Sequence, residues 1–166
     1  MRFLPLLALA ALLPGCALTP LYGGGAAGPV RSTLAAVEVA PIEGQSGWLV
    51  ANALRDRLDA GGSGARYRLQ VVLDDSITGL GIRADDTVTR ERRTLRARYQ
   101  LIDLANGAVV LDATAGSDAG IDVVNSDYAT IAAEQSAIER LSGIVADQIV
   151  GRIARYAQAT AAPTTP

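Results

Sequence analysis

Three stretches in the middle of the chain alternate apolar and polar residues with a period of two, and that alternation leaves little choice of architecture. Tyr67, Leu69, Val71 and Leu73 interleave with Arg66, Arg68, Gln70 and Asp74. Leu95, Ala97, Tyr99 and Leu101 stand against Arg90, Arg92, Arg96 and Arg98, and Val109, Leu111, Ala113 and Ala115 repeat the pattern. Successive side chains on a strand point to opposite faces, so each stretch predicts a strand with one face on a core and the other in water. Asn106-Gly107 joins the second stretch to the third and is a strong hairpin signal, because such turns need positive φ. Asp85-Asp86 turns the chain between the first and second, and residues 77–83 extend the first past a glycine bend or bulge.

A sheet with one apolar face needs cover. Val50, Leu54 and Leu58 recur at helical spacing over residues 48–60, with Ser46 a candidate N-cap and Gly61-Gly62 a stop. Ile131, Ile138, Leu141, Val145, Ile149 and Ile153 predict a long helix over residues 128–157, capped by Ser126 or Asp127, with Gly143 and Gly151 as positions of close approach or bend. A strand over residues 34–42, ended by Pro41, precedes the first helix, and residues 118–127 read as a loop. The order β-α-β-β-β-α implies an α+β two-layer sandwich, a four-stranded mostly antiparallel sheet with two helices on one face. This domain occupies residues 34–158, and the Ala, Thr and Pro tail at 159–166 predicts disorder.

What the chain lacks narrows its chemistry. It has no histidine and no lysine. Imidazole-activated nucleophiles, imidazole metal sites, Schiff bases and P-loop ammonium groups are therefore all excluded. The remaining catalytic option is a carboxylate pair, Asp74-Asp75 or Asp85-Asp86, acting as acid and base on a glycoside. Adjacent aspartates after a strand are more often turn formers, so the expectation is a protein that is not an enzyme and needs no cofactor.

The N-terminus carries its own instruction. Arg2 precedes an apolar run of eleven residues, Phe3 to Leu13, which suits a signal-peptide core and is too short to span a bilayer. Leu13-Pro14-Gly15-Cys16, with the only cysteine directly after a small residue, resembles a bacterial lipobox. The resemblance implies cleavage after residue 15, lipidation of Cys16 and a tether over residues 16–33. Ala17, with no Asp after the cysteine, is similar to lipoproteins sent to the outer membrane. With Cys16 carrying lipid, no intrachain disulfide can form. Removing residues 1–15 takes one arginine from a chain of 15 basic and 17 acidic residues, leaving −3. No global basicity of the nucleic-acid-binding kind is present, so nucleic acid is not an expected partner.

Cys16 followed by Pro20-Leu21-Tyr22-Gly23, then Tyr67-Arg68-Leu69, Arg90, Arg98-Tyr99-Gln100-Leu101-Ile102-Asp103 and Ser126-Asp127-Tyr128, resembles the LPS-assembly lipoprotein family LptE in its alphaproteobacterial form. The resemblance implies a plug inside the LptD β-barrel of the outer membrane that helps the barrel assemble and contacts lipopolysaccharide. An auxiliary lipoprotein of a lipid-transporting ABC system is the alternative of similar size and anchor. The feature of the residues that suits the first is local. Between Val88 and Gln100 five arginines and one glutamate give +4, and Arg90, Arg92, Arg96 and Arg98 share one strand face, where their planar forks could engage phosphates or sugar carboxylates bidentately. A solvated outer face, or pairing with acids of the barrel, would use the same four residues. Trp48, opening its helix, reads as core or half-buried packing, and Tyr22 as a pin between tether and fold.

Overall fold

The computed structural model describes residues 28–58, 64–82, 88–124 and 126–161, with the side chains of 81, 82 and 88 not described. Cys16, Tyr22 and Asp85-Asp86 lie outside the described residues. The elements run α1 (Pro29–Ala35), β1 (Val37–Val39), α2 (Gly44–Leu58), β2 (Tyr67–Ile82), β3 (Val88–Asp103), β4 (Val109–Asp122) and α3 (Asp127–Ala161). The strands form one sheet in sequence order, β1 parallel to β2 and the remaining pairs antiparallel. The α+β architecture thus follows the alternation, and Gly107 takes the positive φ of 72° that the hairpin requires.

Alternation sets the register. Val71, Tyr99 and Ala113 lie side by side across β2, β3 and β4, as do Leu69, Leu101 and Leu111 one step along. Their shared face carries the core, in which Leu69, Leu95 and Leu101 meet Leu54, Leu58, Leu141, Val145, Ile149 and Ile153 from the helices, all at 0–1% exposure. α2 and α3 run in the same direction. Gln45 donates to Gln135 near one end, and Arg57 pairs with Asp147 an equal number of residues further along both helices. Near the α3 C-terminus the Tyr156 ring meets Tyr67 edge-on at 6.3 Å.

Several expectations change. A third helix, α1, occupies Pro29–Ala35, where a tether and the start of a strand were read; Pro29 sits in its first turn and Val30 and Leu34 are buried. Pro at the first helical position costs no hydrogen bond, since that N–H has no intrahelical partner. β1 is consequently only three residues long. β4 continues to Asp122 through the stretch read as a loop, because small residues there still complete a ladder with β3. The long helix extends to Ala161, into the segment read as disordered. Gly143 and Gly151 are not close approaches: a Cβ would meet Arg57 Nη2 at 3.7 Å at the first and nothing within 4 Å at the second. The tight glycine is Gly47, where a Cβ would lie 2.7 Å from the Ile42 carbonyl oxygen. Trp48 is 64% exposed, not core.

Candidate ligand-binding face

The solvent face of the sheet carries the four arginines proposed from the sequence, and all four are exposed there. β4 answers them with aspartates. Arg90 lies directly opposite Asp122 and its Nε donates to Oδ1 at 2.9 Å. Arg96 faces Gly116, and its chain lies across that glycine so that Nη2 reaches Asp118 at 3.2 Å. Arg98 reaches Asp112 with Nη2 at 3.2 Å, and Gln100 donates to the same carboxylate at 2.9 Å. The hydrogen bonds from Arg98 and then Gln100 hold the Asp112 carboxyl below its ordinary range. Any stability from that group is present above its unfolded value and lost as pH falls through the lowered one.

Arg92 differs from its neighbours. It faces Gly120, which has no side chain to offer, and it has no ion pair among the described residues. The local +4 of β3 is therefore largely balanced in space: three arginines are matched, one is open, and Arg68 is paired with Glu38 further along the same face. Beside Arg98, an open hollow of about 350 Å³ is lined by Gln70, Val72 and Gln100. Val72 is 72% exposed, so this hollow joins an apolar side chain to a guanidinium.

The residue that sequence reasoning missed is Arg93. The alternation that sends Arg92 outward sends Arg93 inward, where its Nε and Nη2 bind Asp75 at 2.9 and 2.7 Å and its Nη1 donates to the Glu134 carbonyl of α3 at 3.1 Å. Asp75 holds this guanidinium above its ordinary value. The pair side chains are only 15% and 19% exposed. Glu91, two residues away on the same face, has a buried Oε2 with no partner among the described residues. The doublet Asp74-Asp75 is thus inside β2, not at a turn, and its carboxylates point to opposite faces. Such a doublet cannot act as an acid-base pair on one substrate atom. Arg93→Ala leaves Asp75 half-desolvated without its partner and should cost about 2 kcal/mol, less than the loss for a fully buried pair because water still reaches the site. Urea unfolding checks this, with Arg93→Met combined with Asp75→Asn expected to recover part of the loss.

The architecture recurs in solved lipoprotein structures. A lipoprotein from Caulobacter crescentus CB15 is 27% identical, with a TM-score of 0.66 over 81% of this chain and 99% of its own. The minor lipoprotein of Acinetobacter baumannii is 17% identical, with a TM-score of 0.56 over 72% and 91%. Rare lipoprotein B of Shewanella oneidensis is 10% identical, with a TM-score of 0.52 over 74% and 96%; these last two likenesses are of fold alone. No curated protein matches by sequence. The family model of LptE, described as lipopolysaccharide-assembly, matches residues 34–153.

Proposed function

Because this chain belongs to the LptE lipopolysaccharide-assembly family, we propose that it sits within an LptD-type outer-membrane β-barrel as plug and assembly partner, held at the periplasmic face of that membrane by acyl chains on Cys16. The observation that carries this reading is the family match itself, which runs from the end of α1 through every strand and most of α3. The protein acts by binding, with no turnover of its own, in delivering lipopolysaccharide to the outer leaflet. Affinity purification from its own cells tests the partner: the barrel should co-purify in near-equal amount, and recovery of an inner-membrane transporter instead would reject the reading.

Lipopolysaccharide contact is assigned to the outer face through Arg90, Arg92, Arg96 and Arg98. Arg92 has no aspartate to surrender and engages a phosphate first, whereas the other three exchange an exposed carboxylate for a phosphate. Ion pairs this exposed are weak, so the exchange is inexpensive and the four act as a set. Arg92→Glu with Arg98→Glu should weaken binding of purified lipopolysaccharide about tenfold with the melting temperature nearly unchanged, and wild-type affinity should fall with added salt. Unchanged binding in the double variant would leave the face as a self-neutralised solvent surface, and loss of barrel association alone would make it a protein contact.

A further inference from the structure

The edge of β2 beyond β1 is half of a β-ladder. β1 stops at Val39, and the Ala40 N–H donates to the Leu69 carbonyl at 3.0 Å. In an antiparallel ladder, residues whose main-chain groups face the partner alternate with residues whose groups face away. Leu69 turns its carbonyl away from β3, so Val71, Leu73, Asp75, Ile77 and Gly79 present N–H and C=O groups to the same side. Among the described residues no hydrogen bond reaches those groups.

The other edge of the sheet is treated differently. Gln148 of α3 lies over Gly116 of β4, accepting from its N–H at 2.9 Å and donating to its carbonyl at 3.2 Å, so a side-chain amide fills the place of a neighbouring strand. β2 carries no such stopper. From Val71 to Leu80 it has no proline and no basic residue, two usual guards of an edge, and the inward charge of Asp75 is neutralised by Arg93. Where β1 ends, Pro41, Ile42, Ser46, Val72 and Leu73 line a groove of about 340 Å³ that continues its line.

We propose that an extended segment of a different polypeptide docks along Val71–Gly79 as an added strand, with a basic side chain against Asp74 and an apolar one in the groove. Charge selects this occupant. Arg96, the β3 neighbour of Asp74, is turned to Asp118, so Asp74 has no ion pair among the described residues. Two copies meeting edge to edge in antiparallel fashion would instead bring their two unpaired Asp74 carboxylates near one another at the middle of the run, and like charges so placed destabilise a strand pair. Main-chain hydrogen bonds supply affinity in this mode and the flanking side chains supply choice.

Amide hydrogen exchange on the full-length chain tests the proposal, using a synthetic peptide of about eight residues, ordinary strand length, that alternates threonine and valine around a central arginine. The amides of Leu73, Asp75, Ile77 and Gly79 should slow about tenfold or more at saturating peptide, while those of Val72 and Asp74, already bonded to β3, should not change. Ile77→Pro removes an edge donor without touching the β3 ladder and should abolish the protection. Asp74→Arg should weaken the arginine peptide about fivefold and favour one with a central glutamate. Absence of protection, or equal binding by Ile77→Pro and wild type, overturns the proposal. Protection of these amides in the free chain also overturns it, by making the occupant a second copy if it rises with protein concentration, or residues 1–27 if it vanishes on their removal.

Discussion

In cells that lack the outer-membrane barrel, Cys16→Ser is expected in the soluble fraction after lysis, whereas the wild type is expected to sediment with membranes through its acyl chains. The expectation rests on the proposed lipidation of Cys16, and cells without the barrel remove the other proposed attachment to the membrane. No helix among the described residues is long and apolar enough to cross one. Each buried methylene of an acyl chain contributes about 0.8 kcal/mol, and one chain holds only marginally while two or more hold stably. On the proposed reading, a serine hydroxyl in place of the thiol removes the acceptor of the lipid, and with it the acyl anchor. Intact-mass measurement of the wild type checks the premise, since an unmodified thiol would end the argument. The fold should be indifferent, because residues 34–153, which the family model matches, lie well beyond position 16.

Tyr99→Ala should be the most damaging single change to stability, by about 3–5 kcal/mol. Tyr99 is 2% exposed on the central strand β3, between Val71 and Ala113 in register. The small side chain of Ala113 leaves room for the ring, and removing it opens a cavity that two long strands cannot close. Against a total stability of about 5–15 kcal/mol, such a loss leaves the domain marginal. Tyr99→Phe keeps the ring and its packing and should cost no more than about 1 kcal/mol. Urea midpoints separate the two. Burial pushes the Tyr99 phenol up, with the nearby Arg152 guanidinium acting against it. Its contribution is therefore whole below the ordinary tyrosine range near about pH 10 and lost as pH rises through the raised value.

The long elements were legible because their apolar residues repeat over many positions. Leu69, Leu95, Leu101 and Tyr99 could only face a core, and Ile138 to Ile153 could only be one helix stripe. The Ser126 cap was readable as well: its carbonyl accepts from Thr130 N–H at 3.1 Å, and its hydroxyl receives the Ala129 N–H. Short elements were not legible, because α1 has just two buried residues among small and polar ones, too few to show a period. The continuation of β4 was hidden by Gly120 and its small and polar neighbours, which weaken an isolated strand, whereas Gly116, inside the stretch read as strand, leaves room for the Arg96 chain crossing from β3. Arg93 was concealed by its company. Its odd position already placed it inward, but among five arginines in one stretch the outward four set the pattern, and only a paired Asp75 across the ladder makes an inward cation tolerable. The outward position of Arg90, Arg92, Arg96 and Arg98 could be read from the sequence; the aspartates that answer three of them could not, since they lie on another strand.

The common direction of α2 and α3 gives the molecule an electrical axis. In an antiparallel helix pair the peptide dipoles cancel, but here they add. At about 3.5 D per peptide, these 15- and 35-residue helices sum to something on the order of 170 D. The positive pole lies where α2 and α3 begin, and the negative pole lies where Tyr156 meets Tyr67 and β1 starts. Near a surface of fixed negative charge the two helix dipoles, taken alone, favour the orientation that turns the helix N-termini toward that surface.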